Sequence, residues 1–123
     1  MAVKQDYLMR MIQDSVRFLG QLLLGKDQPL YELPKEEHYN ATDHLYSRII
    51  RMAEDGQINQ AENELLEYIE GRELEQLEMA LAFYQHIADL DDDFLEDHDY
   101  SREEIRDGIN ALARACNVSG LEL

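Results

Sequence analysis

Leu45-Tyr-Ser-Arg-Ile-Ile-Arg-Met-Ala-Glu-Asp-Gly-Gln-Ile-Asn-Gln-Ala-Glu-Asn-Glu-Leu-Leu-Glu-Tyr68 is the stretch from which the fold follows. Leu45, Ile49 and Met52 recur at steps of four and three, the period of one helix face. Gly56 then interrupts the pattern as a helix stop. A new periodic set begins at Ala61 and continues through Leu65 and Tyr68. Large residues on one helix need a small one opposite them, and Ala61 is that small residue. The spacing therefore predicts two helices folded back on each other around Gly56.

Working outward, the same periodicity appears on both sides. Residues 6–24 predict a leading helix, with Leu8, Met11, Ile12, Leu19, Leu22 and Leu23 inward, Phe18 beside them, Asp6 as cap and Gly25 as end. Lys26 to Pro34 holds both prolines and reads as a surface loop. The second helix starts between Lys35 and Thr42 and runs to Asp55. The third is capped by Asn59 and ends at Gly71. A fourth spans Glu73 to Leu90, with Leu74, Leu77, Leu81, Tyr84 and Ile87 or Ala88 inward. A fifth opens on the capping-box pattern Ser101-Arg102-Glu103-Glu104 and carries Ile105, Ile109, Leu112, Ala113 and Cys116. No run alternates apolar and polar residues as a strand does. The expectation is an all-α chain of about five helices in antiparallel hairpins, a single domain over 1–123. It divides into a leading helix at 6–24, a hairpin at 42–70 and a second, degenerate hairpin at 73–117 with Gly108 as its small contact.

Residues 45–68 resemble a tetratricopeptide-type hairpin, with Ala53 to Ile58 as that repeat's tight turn. Ile49 stands where the repeat has a small residue, Glu73 where it has a proline, and no copy follows at the usual period. With the opening Gln5-Asp-Tyr-Leu-Met-Arg-Met-Ile12, the chain also resembles a family of small uncharacterised bacterial proteins with tetratricopeptide-like helices. That resemblance implies a helical fold and a bacterial cytoplasmic setting, and it assigns no catalytic residue.

Charge narrows the function classes. Among 123 residues, 11 are basic and 27 acidic, for a net charge of −16. That balance speaks against nucleic-acid binding, which needs a basic face. The imbalance is uneven along the chain. Residues 1–26 hold Lys4, Arg10, Arg17 and Lys26 against Asp6 and Asp14. Residues 27–123 hold 7 basic and 25 acidic side chains. The leading helix is thus a mildly basic element on an acidic body, a weak match to a membrane-surface helix. The longest apolar run, Met79 to Phe83, is far too short to span a bilayer. The absence of a visible signal peptide gives the expectation of a cytoplasmic protein.

The search for chemistry returns little. Asp89-Leu-Asp-Asp-Asp-Phe-Leu-Glu-Asp-His-Asp99 is dense in carboxylates, which bind divalent cations when a loop turns them to one point. Counted as an EF-hand from Asp89, however, Phe94 stands in place of the glycine and Tyr100 in place of the bidentate glutamate. The expected form is a solvated turn, with Phe94 and Leu95 dipping into the core. His86 and Asp89 lie three apart on one helix face and offer two ligands at most. Cys116 is alone and reads as a small core residue. Asn40-Ala41-Thr42 reads as a helix start. No nucleophile elbow or phosphate loop is present. The expectation is therefore a non-enzymatic interaction or self-association module with no cofactor, no metal and no catalytic residue. Its partner is a protein, with a homodimer as one form. The candidate contact residues are Tyr31, Tyr39, Tyr46, Leu22 and Leu23. The alternative is a divalent-cation-binding protein or enzyme using residues 89–99.

Overall fold

Asn40 begins the hairpin. Its side chain accepts a hydrogen bond from the Asp43 amide at 2.8 Å, and the Asp43 carboxylate accepts one from the Asn40 amide at 3.0 Å. This reciprocal capping box satisfies donors that a helix start leaves orphaned. It launches α2, Ala41–Glu54. In this computed structural model, which describes residues 2–25, 31–69 and 74–115, six α-helices and no strand are present among the described residues.

At the far end of α2 the Gln57 amide donates to the Met52 carbonyl at 2.8 Å, and the Gly56 amide to Ala53 at 3.0 Å. These two bonds form a Schellman motif, which requires a left-handed residue at Gly56. Gly56 supplies it with φ +94°. The motif delivers the chain straight into α3, Ile58–Tyr68. Asn59 therefore lies inside that helix and is not its cap. Its amide group donates instead to the Asp99 carbonyl at 3.3 Å.

The sequence expectation for the hairpin holds where it is most specific. Leu45, Ile49, Ala53, Ile58, Ala61 and Leu65 are all buried. Ala61→Leu inserts about three heavy atoms into this interior and should cost about 1–3 kcal/mol. Thermal melts should show a drop of about 4 °C per kcal/mol. Gln60→Leu, at an exposed position, is the control and should melt within about 2 °C of the parent.

The leading helix α1 spans Ala2–Leu19 and passes into a π-helical turn over Gly20–Leu24. It starts before Asp6, because Ala2 to Gln5 contains no helix breaker. Gly25 ends it as expected, its amide donating to the Gln21 carbonyl at 3.1 Å. The buried line is Leu8, Ile12, Ser15, Val16 and Leu19. Leu22 is not on it. The wider winding of the π turn carries that residue off the line, and it is exposed.

Helix α4, Leu74–Ala88, is the centre of the fold. It contacts α1, the π turn, α2 and α6. Leu77, Met79, Ala80, Leu81, Ala82, Phe83, Tyr84, Ile87 and Ala88 are buried, which covers most of the helix and leaves one side to Glu75, Glu78, Gln85 and His86. A helix with so wide an apolar face is a core helix. Tyr84, expected inward, is fully buried.

The acidic stretch forms a helix of its own, α5, Asp92–Asp97, where a turn was expected. Leu95 does reach the core and Phe94 packs against it. Helix α6, Arg102–Ala115, opens on the expected capping box, with the Ser101 amide donating to Glu104 at 2.9 Å and the Glu104 amide to Ser101 Oγ at 3.3 Å. It packs on α1 and α4. Gly108 lies against the Tyr84 ring, where an added Cβ would come within 2.6 Å of Cζ. The expectations attached to Gly71, Glu73 and Cys116 lie outside the described residues.

Candidate functional site

Two surfaces hold the residues singled out from the sequence. The first joins the segment 31–40 to the N-terminal ends of α2 and α4. The Tyr31 hydroxyl donates to Asp43 Oδ1 at 2.6 Å. Asp43 is only 5% exposed, and its other oxygen serves the capping box. Asn40 Nδ2 reaches across to Glu75 at 3.1 Å, tying α2 to α4. The Thr42 and Tyr68 hydroxyls bond at 2.8 Å. The Tyr31 and Tyr46 rings pack at 4.8 Å between centroids, tilted by 49°. Tyr39 meets His44 edge-on at 5.1 Å.

These contacts border an open cleft of about 740 Å³, lined by Tyr31, Glu32, Pro34, His38, Glu75 and Glu78 among others. Burial, then the bond to Asp43 and the charge of Glu75, push the Tyr31 hydroxyl far above its ordinary value. Burial also raises Tyr46. Tyr31 therefore stays protonated at neutral pH and acts as a fixed donor to Asp43. The structure thus brings Tyr31 and Tyr46 together, with both rings packed partly into the core. Tyr39 stands apart on His44, and all three remain half-buried.

The second surface is the outward side of α1. Tyr7 is 62% exposed, Phe18 48% and Leu22 56%. Three of the five exposed large hydrophobic residues described therefore lie on this one helix and its π turn. With half-buried Met11, they form a line beside the buried one. Of the predicted contact residues, only Leu22 belongs to it, and the side chain of Leu23 lies outside the described residues. Tyr7 was not singled out in the sequence, and Phe18 was placed beside the inward stripe and not among the contact residues. The signal was there in the steps of four, seven and four from Tyr7 through Met11 and Phe18 to Leu22.

The acidic stretch does not gather its carboxylates. Asp89, Asp91, Asp92, Asp93 and Asp97 are exposed around α5 and its flanks. No group of three or more His, Cys, Asp or Glu that could hold a metal ion occurs among the described residues. The stretch is instead tied inward. The buried Arg102 pairs with Asp92 and donates to the Ala88 and Leu90 carbonyls at 3.0 and 2.7 Å. Burial lowers the Arg102 pKa from its ordinary value, and the charges of Asp89 and Asp91 oppose that shift. His98 lies on Gly56, with its Nδ1 2.8 Å from the Phe94 carbonyl. His86 does not partner Asp89 as a ligand pair would. Its Nε2 stands 3.2 Å from Glu54 on α2, outside hydrogen-bonding geometry.

Glu62 is half-buried and accepts from the Tyr84 hydroxyl at 2.7 Å. Burial raises its pKa, while the bond from Tyr84 pulls it down. The Tyr100 hydroxyl is buried close to the same carboxylate but lacks a hydrogen-bond partner of good geometry.

The fold and these surfaces define a small all-helical protein with one helix exposing a line of large apolar side chains. The chain belongs to a family of unknown function (DUF6483), whose family model matches residues 2–117. No curated protein and no solved structure matches it. None of the described helices is long and apolar enough to cross a membrane.

Proposed function

We propose that this protein is a non-enzymatic helical interaction module, tetratricopeptide-like in its central hairpin, that binds a protein through the outer face of α1. One observation carries the reading: Tyr7, Phe18 and Leu22 are exposed together along that helix. Single exposed apolar residues need no explanation, whereas several gathered on one side of a helix mark a contact surface. Aromatic side chains are also the usual anchors of protein interfaces. The bacterial cytoplasm is the setting implied by the family resemblance. The experiment is site-specific photocrosslinking in cells. A crosslinking residue at position 18 should yield a covalent protein product, and one at exposed Gln60 on α3 should not. Absence of any product at position 18 would overturn the proposal.

A further inference from the structure

We propose that the outer face of α1 seats on the acidic body of a second copy of this chain. This inference rests on the interaction-module reading above and names its partner. Tyr7, Met11, Phe18 and Leu22 run along about 22 Å of helix. At the angular step of a helix, Arg10 and Arg17 fall along one border of this line, and both are exposed. Asp14, also exposed, lies between them and makes a surface contact of 3.9 Å to Arg17. A partner for this face must offer apolar contact and negative charge.

A second copy offers the negative charge. Residues 27–123 carry 25 acidic against 7 basic side chains, while residues 1–26 carry 2 acidic against 4 basic. Two α1 faces packed on each other would set Arg10 and Arg17 beside their own counterparts. Docking on the acidic body sets them against carboxylates, which also offsets part of the repulsion between two chains of −16. An anionic membrane also offers negative charge beside an apolar layer, and the test below separates it from a second copy.

The test uses the purified full chain at physiological ionic strength, in sedimentation equilibrium across micromolar concentrations. The expected particle has twice the chain mass of 14.4 kDa. Phe18→Ser combined with Leu22→Ser should weaken association at least about tenfold. Arg10→Glu combined with Arg17→Glu, at positions that bear on no core contact, should weaken it as well. Leu66→Ser, at an exposed position on α3, should leave it unchanged. Circular dichroism melts check that each variant is folded. A wild-type chain found only at 14.4 kDa overturns the proposal, as does a dimer indifferent to both paired variants. Sedimentation of a monomeric chain with anionic vesicles would overturn it in favour of a membrane surface. If the purified chain stays monomeric while position 18 crosslinks a different protein in cells, self-association falls and the interaction module stands. If position 18 crosslinks nothing, both fall.

Discussion

Gly56→Ala should lower stability by about 3 kcal/mol, or about 12 °C in melting temperature. Two independent costs combine. Gly56 sits at φ +94°, where an L-residue is strained by about 1–2 kcal/mol. A Cβ built there would also lie 2.3 Å from the His98 ring. That ring cannot withdraw cheaply, since it packs on Phe94 at 4.4 Å between centroids, tilted by 44°, and bonds the Phe94 carbonyl. Forcing it aside adds an overpacking cost of about 1–3 kcal/mol. The two costs separate in a double-mutant cycle. In a His98→Ala background the obstacle is gone, and Gly56→Ala should cost only its backbone share, about 1–2 kcal/mol. Equal losses in both backgrounds, measured by chemical denaturation, would show that His98 does not close over the turn.

The second large effect is at the other end of the acidic stretch 89–99. Arg102→Ala should cost about 3 kcal/mol. The guanidinium is buried and donates to two carbonyls, Ala88 and Leu90, just where α4 runs out of internal hydrogen-bond partners. Removing it strands those acceptors and leaves a void where its aliphatic stem packs. Arg102→Lys should recover only part of the loss, because an ammonium lacks the planar fork that reaches both carbonyls and Asp92. Asp92→Asn is the contrasting control. Asp92 is 59% exposed, so its charge is screened and its removal should cost under about 1 kcal/mol. A loss for Arg102→Ala no larger than that for Asp92→Asn would mean the guanidinium does not hold the end of α4.

Together these two residues give the acidic stretch a structural role. Residues 89–99 are anchored by Arg102 at α4 and by His98 and the Asp99 carbonyl at the α2–α3 hairpin. The density of aspartates suits a short helix that stays wetted on its outer side, with Leu95 as its apolar foot. A cation site needs the opposite arrangement, with oxygens converging on one point.

Much of the fold was legible in the residues themselves. Asn40 and Ser101 marked the starts of α2 and α6, and Gly25 and Gly56 marked two ends, because caps and stops act within a few residues of chain. Ile105, Ile109, Leu112 and Ala113 announced the inner face of α6 through their spacing alone, and all four are buried. Local hydrogen bonding and helical periodicity are properties of neighbouring residues, so the sequence carries them openly.

Other features depended on which distant elements came to lie beside a given face. The apolar run Met79 to Phe83 was visible, but only the packing of α1, α2 and α6 around α4 made it the centre of the molecule. Glu62 has a side chain whose charge favours water, and the Tyr84 hydroxyl from another helix partners it in a half-buried place. Phe18 and Leu22 resemble core residues in a list of apolar positions, yet no described element covers them, and they remain the candidate contact face. Residue type and period decide that a helix has an apolar side. Which side is covered, and by what, is decided by contacts between segments far apart in the chain, and these have no local signature.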